Sequence, residues 1–155
     1  MLHIVYGGSA SGKSSYAESF AMSLQGEGRL LYIATMYPYK WNTTEIDPET
    51  MQRIERHRAM RADKGFDTVE CYRHVEHIVA KRQDVLLLEC MSNLLANEMY
   101  LEPDGNAGSD MAETMSPVSN KIVQALIDLS TRVQELVIVT NLSLIHISEP
   151  TRRRG

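Results

Sequence analysis

The clearest chemical feature of the sequence is the glycine-rich stretch Gly7-Gly8-Ser9-Ala10-Ser11-Gly12-Lys13-Ser14, between an apolar run and a helix-prone segment. Its spacing matches Gly-x-x-x-x-Gly-Lys-Ser, the phosphate-binding P-loop, in its expected strand–loop–helix context. The glycines allow backbone N–H groups to turn toward a phosphate, and the start of the next helix adds partial positive charge. Lys13 can place a full charge at the outer phosphates, and the Ser14 hydroxyl can hold Mg²⁺. The motif predicts a nucleoside triphosphate site; a glycine-rich turn without a ligand is the alternative.

A carboxylate, Glu89, directly follows the apolar run at residues 85–88. In open parallel sheets, ligands collect at the carboxyl ends of the strands, which is the edge where a P-loop lies. We therefore expect Glu89 to bind Mg²⁺ through water, or to activate an attacking hydroxyl. The alternative is a glutamate that ends a strand and faces solvent.

A basic stretch places Arg53, His57 and Arg61 four residues apart, so that on a helix they share one stripe. Two guanidinium groups beside an imidazole disfavour a third positive charge. A neutral imidazole can act as a nucleophile while arginines hold phosphate oxygens. A solvated charged helix face with one incidental histidine is the alternative.

Apolar runs and helical patterns alternate along the chain, which predicts an α/β P-loop NTPase fold with a mostly parallel sheet flanked by helices. Strands are predicted at residues 2–6, 30–34, 68–71, 85–88 and 136–140, and helices at 13–24, 48–60, 75–81, 91–100 and 117–134. The Val/Ile/Leu runs of the first, fourth and last strands indicate strands covered on both faces. Pro48 and Pro117 each follow a residue suited to an N-cap, and residues 102–116 read as a surface loop.

The composition indicates a single globular domain, and its net charge of −4 gives no overall basic field for nucleic acid. The strand next to Met1 leaves no room for a signal peptide, and no apolar run is long enough to span a bilayer, so we expect a cytoplasmic protein. Cys71 and Cys90 are predicted to fill apolar positions rather than to form a disulfide or zinc site. The four histidines other than His57 read as ordinary surface or core residues: His3, His74, His77 and His146.

Several short stretches, in order, resemble one family. They are the P-loop, Tyr32-Ile33-Ala34-Thr35, Arg53-Ile54 with His57-Arg58, Thr68-Val69-Glu70, Leu87-Leu88-Glu89-Cys90 and Val139-Thr140-Asn141. Together they resemble the bifunctional adenosylcobinamide kinase / adenosylcobinamide-phosphate guanylyltransferase family of cobalamin biosynthesis, over roughly residues 1–141.

The resemblance implies two reactions on a corrinoid. ATP or GTP phosphorylates the hydroxyl of the aminopropanol arm of adenosylcobinamide, with Mg²⁺ as the metal. GTP then donates GMP through a guanylylated histidine to give adenosylcobinamide-GDP and pyrophosphate. The resemblance also implies a homotrimer with sites near subunit interfaces.

Carried over residue by residue, the resemblance makes His57 the histidine that carries GMP. It makes the P-loop the phosphate site, and it places further nucleotide contacts at Ala34, Thr35, Met36, Arg58, Ala59, Met60, Arg61, Glu70 and Glu89.

The sequence departs from the family pattern in two places. Residues 36–49 form a longer segment than in the compact family form, in which Tyr37, Tyr39 and Trp41 either line the corrinoid side or pack the linker. After Asn141, residues 142–155 lack the family's next motif. We expect residues 1–141 to form a domain that is incomplete at its C-terminus, and residues 142–155 to be a non-native or disordered tail.

Two other functions remain open from the sequence. A different small P-loop kinase would share the phosphate site but would not need His57, and a nucleotide-binding module without catalysis would need neither reaction. A regulatory GTPase is disfavoured, because the chain has neither Asn-Lys-x-Asp nor a clear Asp-x-x-Gly switch.

Overall fold

A computed structural model describes residues 1–8, 12–37, 45–89, 91–100 and 111–141, with five strands and four α-helices. The strands are β1 (Leu2–Gly7), β2 (Leu30–Ala34), β3 (Asp67–Glu70), β4 (Val85–Leu88) and β5 (Glu135–Asn141). The helices are α1 (Lys13–Leu24), α2 (Pro48–Ala62), α3 (Met91–Tyr100) and α4 (Met111–Arg132), and a short 3-10 turn covers Val75–His77. All five predicted strands are therefore present, with ends that move by at most one residue.

The described strands form one parallel sheet in the order β1-β5-β4-β2-β3. Strand β5 lies between the strand that enters the P-loop and the strand that ends before Glu89, since Tyr6 pairs with Thr140 and Leu88 pairs with Ile138. The carboxyl ends of these strands therefore meet at one edge of the sheet. This confirms the predicted α/β P-loop fold.

Two apolar clusters cover the two faces of the sheet. On one face, β2, β4 and β5 pack against α3 and α4, and the helical stripe of α4 at Ile122, Leu126, Leu129 and Val133 is buried as its spacing predicted. On the other face, Ala17 and Ala21 of α1 are fully buried against the sheet.

Strand β1 corrects one prediction, because its apolar run is not covered on both faces. Ile4 is 60% exposed and Tyr6 is 63% exposed. Within the described part of the chain, β1 pairs only with β5, and on the face that carries Ile4 and Tyr6 its first residue, Leu2, packs against the apolar cluster of α3 and α4. The prediction of two covered faces holds for β4, all of whose residues are buried.

Two helix predictions were wrong. Helix α4 begins at Met111 and contains Pro117, so part of the predicted loop is helical. Good helix formers before the proline outweigh the backbone donor that it lacks.

The predicted helix at residues 75–81 is only one 3-10 turn, preceded by His74 in the left-handed conformation. The guanidinium of Arg132 donates to the carbonyl groups of Glu76 and Ile78, which stabilises the chain in a non-helical course.

The Asp47–Pro48 pair begins α2 as predicted. Cys71 is half-buried at the end of β3, and burial raises the pKa of its thiol to about 11, with Glu76 and Glu98 adding to the effect. None of the described helices is long and apolar enough to cross a membrane. Predictions for Tyr39, Trp41, Cys90, His146 and the segments 101–110 and 142–155 lie outside the described residues.

Candidate functional site

The P-loop connects β1 to α1, and its described residues have the backbone that the motif predicts. Gly12 has a φ of 80°, in the left-handed region that favours glycine, and directly precedes α1. Among the described residues, no side chain caps the start of α1, so its first N–H groups keep their capacity to bind an anion. The Nζ atom of Lys13 donates to the carbonyl of Gly8 at 3.1 Å, across Ser9, Ala10 and Ser11, which lie outside the described residues.

A cleft of about 260 Å³ lies at the carboxyl edge of the sheet, beside the P-loop. Eight of the predicted site residues line it: Lys13, Ser14, Ala34, Thr35, Met36, His57, Arg61 and Glu89. They come from the start of α1, the end of β2, the helix α2 and the end of β4. The fold thus brings together side chains that are up to 76 positions apart in the sequence, from Lys13 to Glu89.

Helix α2 presents Ile54, His57 and Arg61 to this cleft. These positions are three and four residues apart and share one face of the helix. Arg53, which the sequence placed on the same stripe, is exposed and is not among the residues that line the cleft. Helix α2 is therefore rotated relative to the prediction, so that Ile54 lines the cleft where Arg53 was expected.

His57 and Arg61 differ in burial although they are one turn apart. His57 is exposed to the open cleft, whereas Arg61 is only 6% exposed. The guanidinium carbon of Arg61 lies 3.4 Å from the ring centroid of Tyr32 on β2. The Nε atom of Arg61 is buried and has no hydrogen-bond partner in the described part of the chain.

Ser14 and Glu89 both line the cleft and offer oxygen atoms, the ligand type that Mg²⁺ prefers. No group of three or more His, Cys, Asp or Glu side chains that could hold a metal is found among the described residues. Mg²⁺ is usually held by one or two protein groups together with phosphate oxygens and water. The donor set therefore fits a Mg²⁺ ion that arrives with a triphosphate.

The other predicted nucleotide contacts lie away from the cleft. Arg58 forms an ion pair with Glu70 at the outer side of β3, and both side chains are about half exposed. Met60 is 58% exposed, and its neighbour Ala59 is also exposed. A nucleotide role for these four residues remains a prediction.

Seven further residues that line the cleft were not predicted as site residues from the sequence: Tyr32, Ile54, Met91, Ser92, Asn93, Val139 and Thr140. The start of α3 follows Glu89 closely, and Thr140 ends a strand at the same edge, so the rule that ligands lie at carboxyl ends of strands could have indicated both. The Thr140 hydroxyl oxygen is buried and has no hydrogen-bond partner among the described residues. Below the cleft, the buried side chain of Asn97 donates to the Thr35 carbonyl at 2.7 Å and so fixes the end of β2.

Comparisons with known proteins give one matching family and two similar proteins. A family model described as "CobU: Cobinamide kinase / cobinamide phosphate guanyltransferase" matches residues 3–151. The bifunctional adenosylcobalamin biosynthesis protein CobU of Escherichia coli (strain K12) is 31% identical over 147 residues, which cover 91% of this chain and 75% of that protein. The protein of the same name from Salmonella typhimurium (strain LT2) is 33% identical over 104 residues, which cover 64% of this chain and 51% of that protein.

Proposed function

The chain belongs to the cobinamide kinase / cobinamide phosphate guanyltransferase family of transferases, and we propose that it carries out both reactions in cobalamin biosynthesis. In the first, the terminal phosphoryl group of ATP or GTP is transferred to the aminopropanol hydroxyl of adenosylcobinamide. In the second, GMP from GTP is joined to the new phosphate, which gives adenosylcobinamide-GDP.

The phosphoryl transfer is assigned to the P-loop side of the cleft. Lys13 would offset the charge on the outer phosphates, and the N–H groups at the start of α1 would hold their oxygens. Ser14 and Glu89 would hold Mg²⁺, which neutralises charge on the phosphates when bound. Glu89 also lines the cleft, and its carboxylate would receive the proton from the attacking hydroxyl.

The guanylyl transfer is assigned to His57. Its neutral imidazole nitrogen attacks the α-phosphorus of GTP, a P–N bond forms, and the bond to the β-phosphate oxygen breaks to release pyrophosphate. An oxygen of the corrinoid phosphate then attacks the same phosphorus, so that the P–N bond breaks and a P–O–P linkage forms. Arg61 also lines the cleft and would offset the added negative charge.

The observation that carries the proposal is that His57 lines the same cleft as Lys13 and Ser14. A P-loop kinase without a guanylyl step would not need an exposed histidine on a helix that faces its phosphate site. The cleft therefore supports the bifunctional assignment over a simple kinase or a binding module.

The proposal is tested by following both products with His57→Ala and with His77→Ala as the matched control. His77 is a surface histidine, 77% exposed, and lies outside the cleft. We expect His57→Ala to form the corrinoid phosphate but no GDP derivative, and His77→Ala to form both. Normal formation of the GDP derivative by His57→Ala would contradict the assignment of the guanylyl step.

We also propose that residues 1–141 form the domain, and that it works as a cytoplasmic homotrimer. Sedimentation of the purified chain tests the assembly. A species with the mass of three chains is expected, and a monomer at all concentrations would contradict it.

A further inference from the structure

The side chains of Arg61 and Tyr32 form a close, buried contact at the wall of the cleft. Arg61 lies in the last turn of α2, and Tyr32 lies in the middle of β2. Both residues are buried, at 6% and 8% exposure, and both line the cleft. The guanidinium carbon lies 3.4 Å from the ring centroid, which is well within the range of a cation–π contact.

A buried charge needs compensation, and the described residues give the Nε atom of Arg61 no hydrogen-bond partner. The negative face of an aromatic ring attracts a cation, and the attraction is larger where water is excluded. The contact with Tyr32 therefore lowers the cost of holding the guanidinium at the wall of the cleft in the absence of a ligand.

We propose that Tyr32 is a positioning residue, whose ring holds the Arg61 guanidinium ready to bind a phosphate group in the cleft. A guanidinium that stacks on a ring keeps its N–H donors available, because they lie in its own plane. The ligand class is a nucleoside triphosphate, so this inference rests on the proposed function. Tyr32 itself acts only through Arg61.

The strand that carries Tyr32 and a second aromatic ring also restrict where its ring can lie. Tyr32 pairs with Thr68 of β3 and Leu87 of β4, and its ring meets that of Phe66 edge-on, with centroids 6.4 Å apart. A side chain fixed by two neighbouring strands and a second ring has few alternative positions. Arg61 therefore binds its ligand without first having to be ordered.

The test measures the affinity of the full chain for a non-hydrolysable GTP analogue by calorimetry. Tyr32 is replaced by Phe, by Leu, and by phenylalanines with one, two and three ring fluorines, which weaken the negative face with little change in shape. We expect Tyr32→Phe to bind nearly as well as the wild type. Affinity should fall stepwise along the fluorinated series, and Tyr32→Leu should lose on the order of tenfold.

The matched control repeats the series with Arg61→Met, in which the ring has no cation to hold. There, we expect the fluorines to change nothing. An equal affinity across the fluorinated series in the wild-type background would overturn the inference, even if Tyr32→Leu is too unstable to measure. If the wild type binds no triphosphate, both the proposed function and this inference are wrong. If it binds with the predicted series but never forms the GDP derivative, only the proposed second reaction is wrong.

Discussion

The guanidinium of Arg29 donates to both carboxylate oxygens of Asp84, at 3.3 Å from Nε and 2.7 Å from Nη2. This contact joins the start of β2 to the start of β4. It lies at the amino ends of these strands, and the site lies at their carboxyl ends. Burial alone would raise the pKa of the Asp84 carboxyl. The hydrogen bonds from Arg29, and from the backbone N–H groups of Lys81 and Arg29, outweigh burial and hold that pKa below its ordinary value.

The direction of this shift predicts how stability depends on pH. Asp84 binds a proton more weakly in the folded chain than in the unfolded chain, so its contribution is complete above the unfolded pKa of about 4. That contribution is lost as the pH falls from there through the lower folded pKa. We expect Asp84→Asn to be less stable than the wild type at neutral pH and to lose less stability on acidification. Urea unfolding of both proteins across this pH range measures the difference. Parallel curves of unfolding free energy against pH for the two proteins would contradict the prediction.

Gly28 is predicted to be required by close packing. A Cβ atom at this position would collide with the backbone carbonyl of Gln83, next to Asp84. Because backbone must move to make room, we expect Gly28→Ala to lower the free energy of unfolding by about 1–3 kcal/mol. Gly26→Ala is the matched control, since its Cβ would meet only the side chain of Gln134 at 3.8 Å. Equal midpoints of urea unfolding for the two variants would show that the close approach is absent.

Lys13→Ala is predicted to abolish most phosphoryl transfer while leaving the fold intact. The loss of one charged contact to the transferred group is expected to lower turnover by roughly 10²–10³-fold. The control is Lys64→Ala, which removes a lysine that forms an ion pair with Glu18 of α1 and lies outside the cleft. Initial rates of corrinoid phosphate formation measure the effect. Near-normal turnover of a folded Lys13→Ala chain would exclude the P-loop from the reaction.

Thr140 is predicted to serve the ligand rather than the fold. Its buried hydroxyl oxygen has no hydrogen-bond partner among the described residues, so Thr140→Val removes an unsatisfied polar group. We expect this variant to be as stable as the wild type, or more stable by up to about 1 kcal/mol, yet slower in phosphoryl transfer. Thr140→Ser should retain the rate because it keeps the hydroxyl. A parallel loss of stability and activity in Thr140→Val would indicate a purely structural role.

The local patterns predicted the strands, the P-loop and five of the fifteen described residues that line the cleft, and the family resemblance added Ala34, Thr35 and Met36. These features depend on residues close together in sequence, such as Gly12 before the helix that begins at Lys13. The strand order is not local, and for that reason the exposure of Ile4 and Tyr6 on an edge strand could not be predicted.

The remaining errors also come from distant contacts. Which side of α2 faces the cleft depends on how the helix packs on the sheet, and the structure selects Ile54 over Arg53. The single turn after His74 depends on Arg132, which lies far along the chain. The stacking of Arg61 on Tyr32 joins a helix to a strand, and no sequence spacing indicates it.

The most direct test of the account is a single-turnover incubation of the chain with α-labelled GTP and Mg²⁺, without corrinoid. We predict that the label stays on the denatured protein, is lost in acid, survives base, and maps to the peptide that contains His57. Such lability is that of a P–N bond, in contrast to a serine or threonine ester. His57→Ala should remain unlabelled, whereas His77→Ala should be labelled like the wild type. Labelling of His57→Ala to the wild-type extent, or a label on another residue, would contradict the central claim.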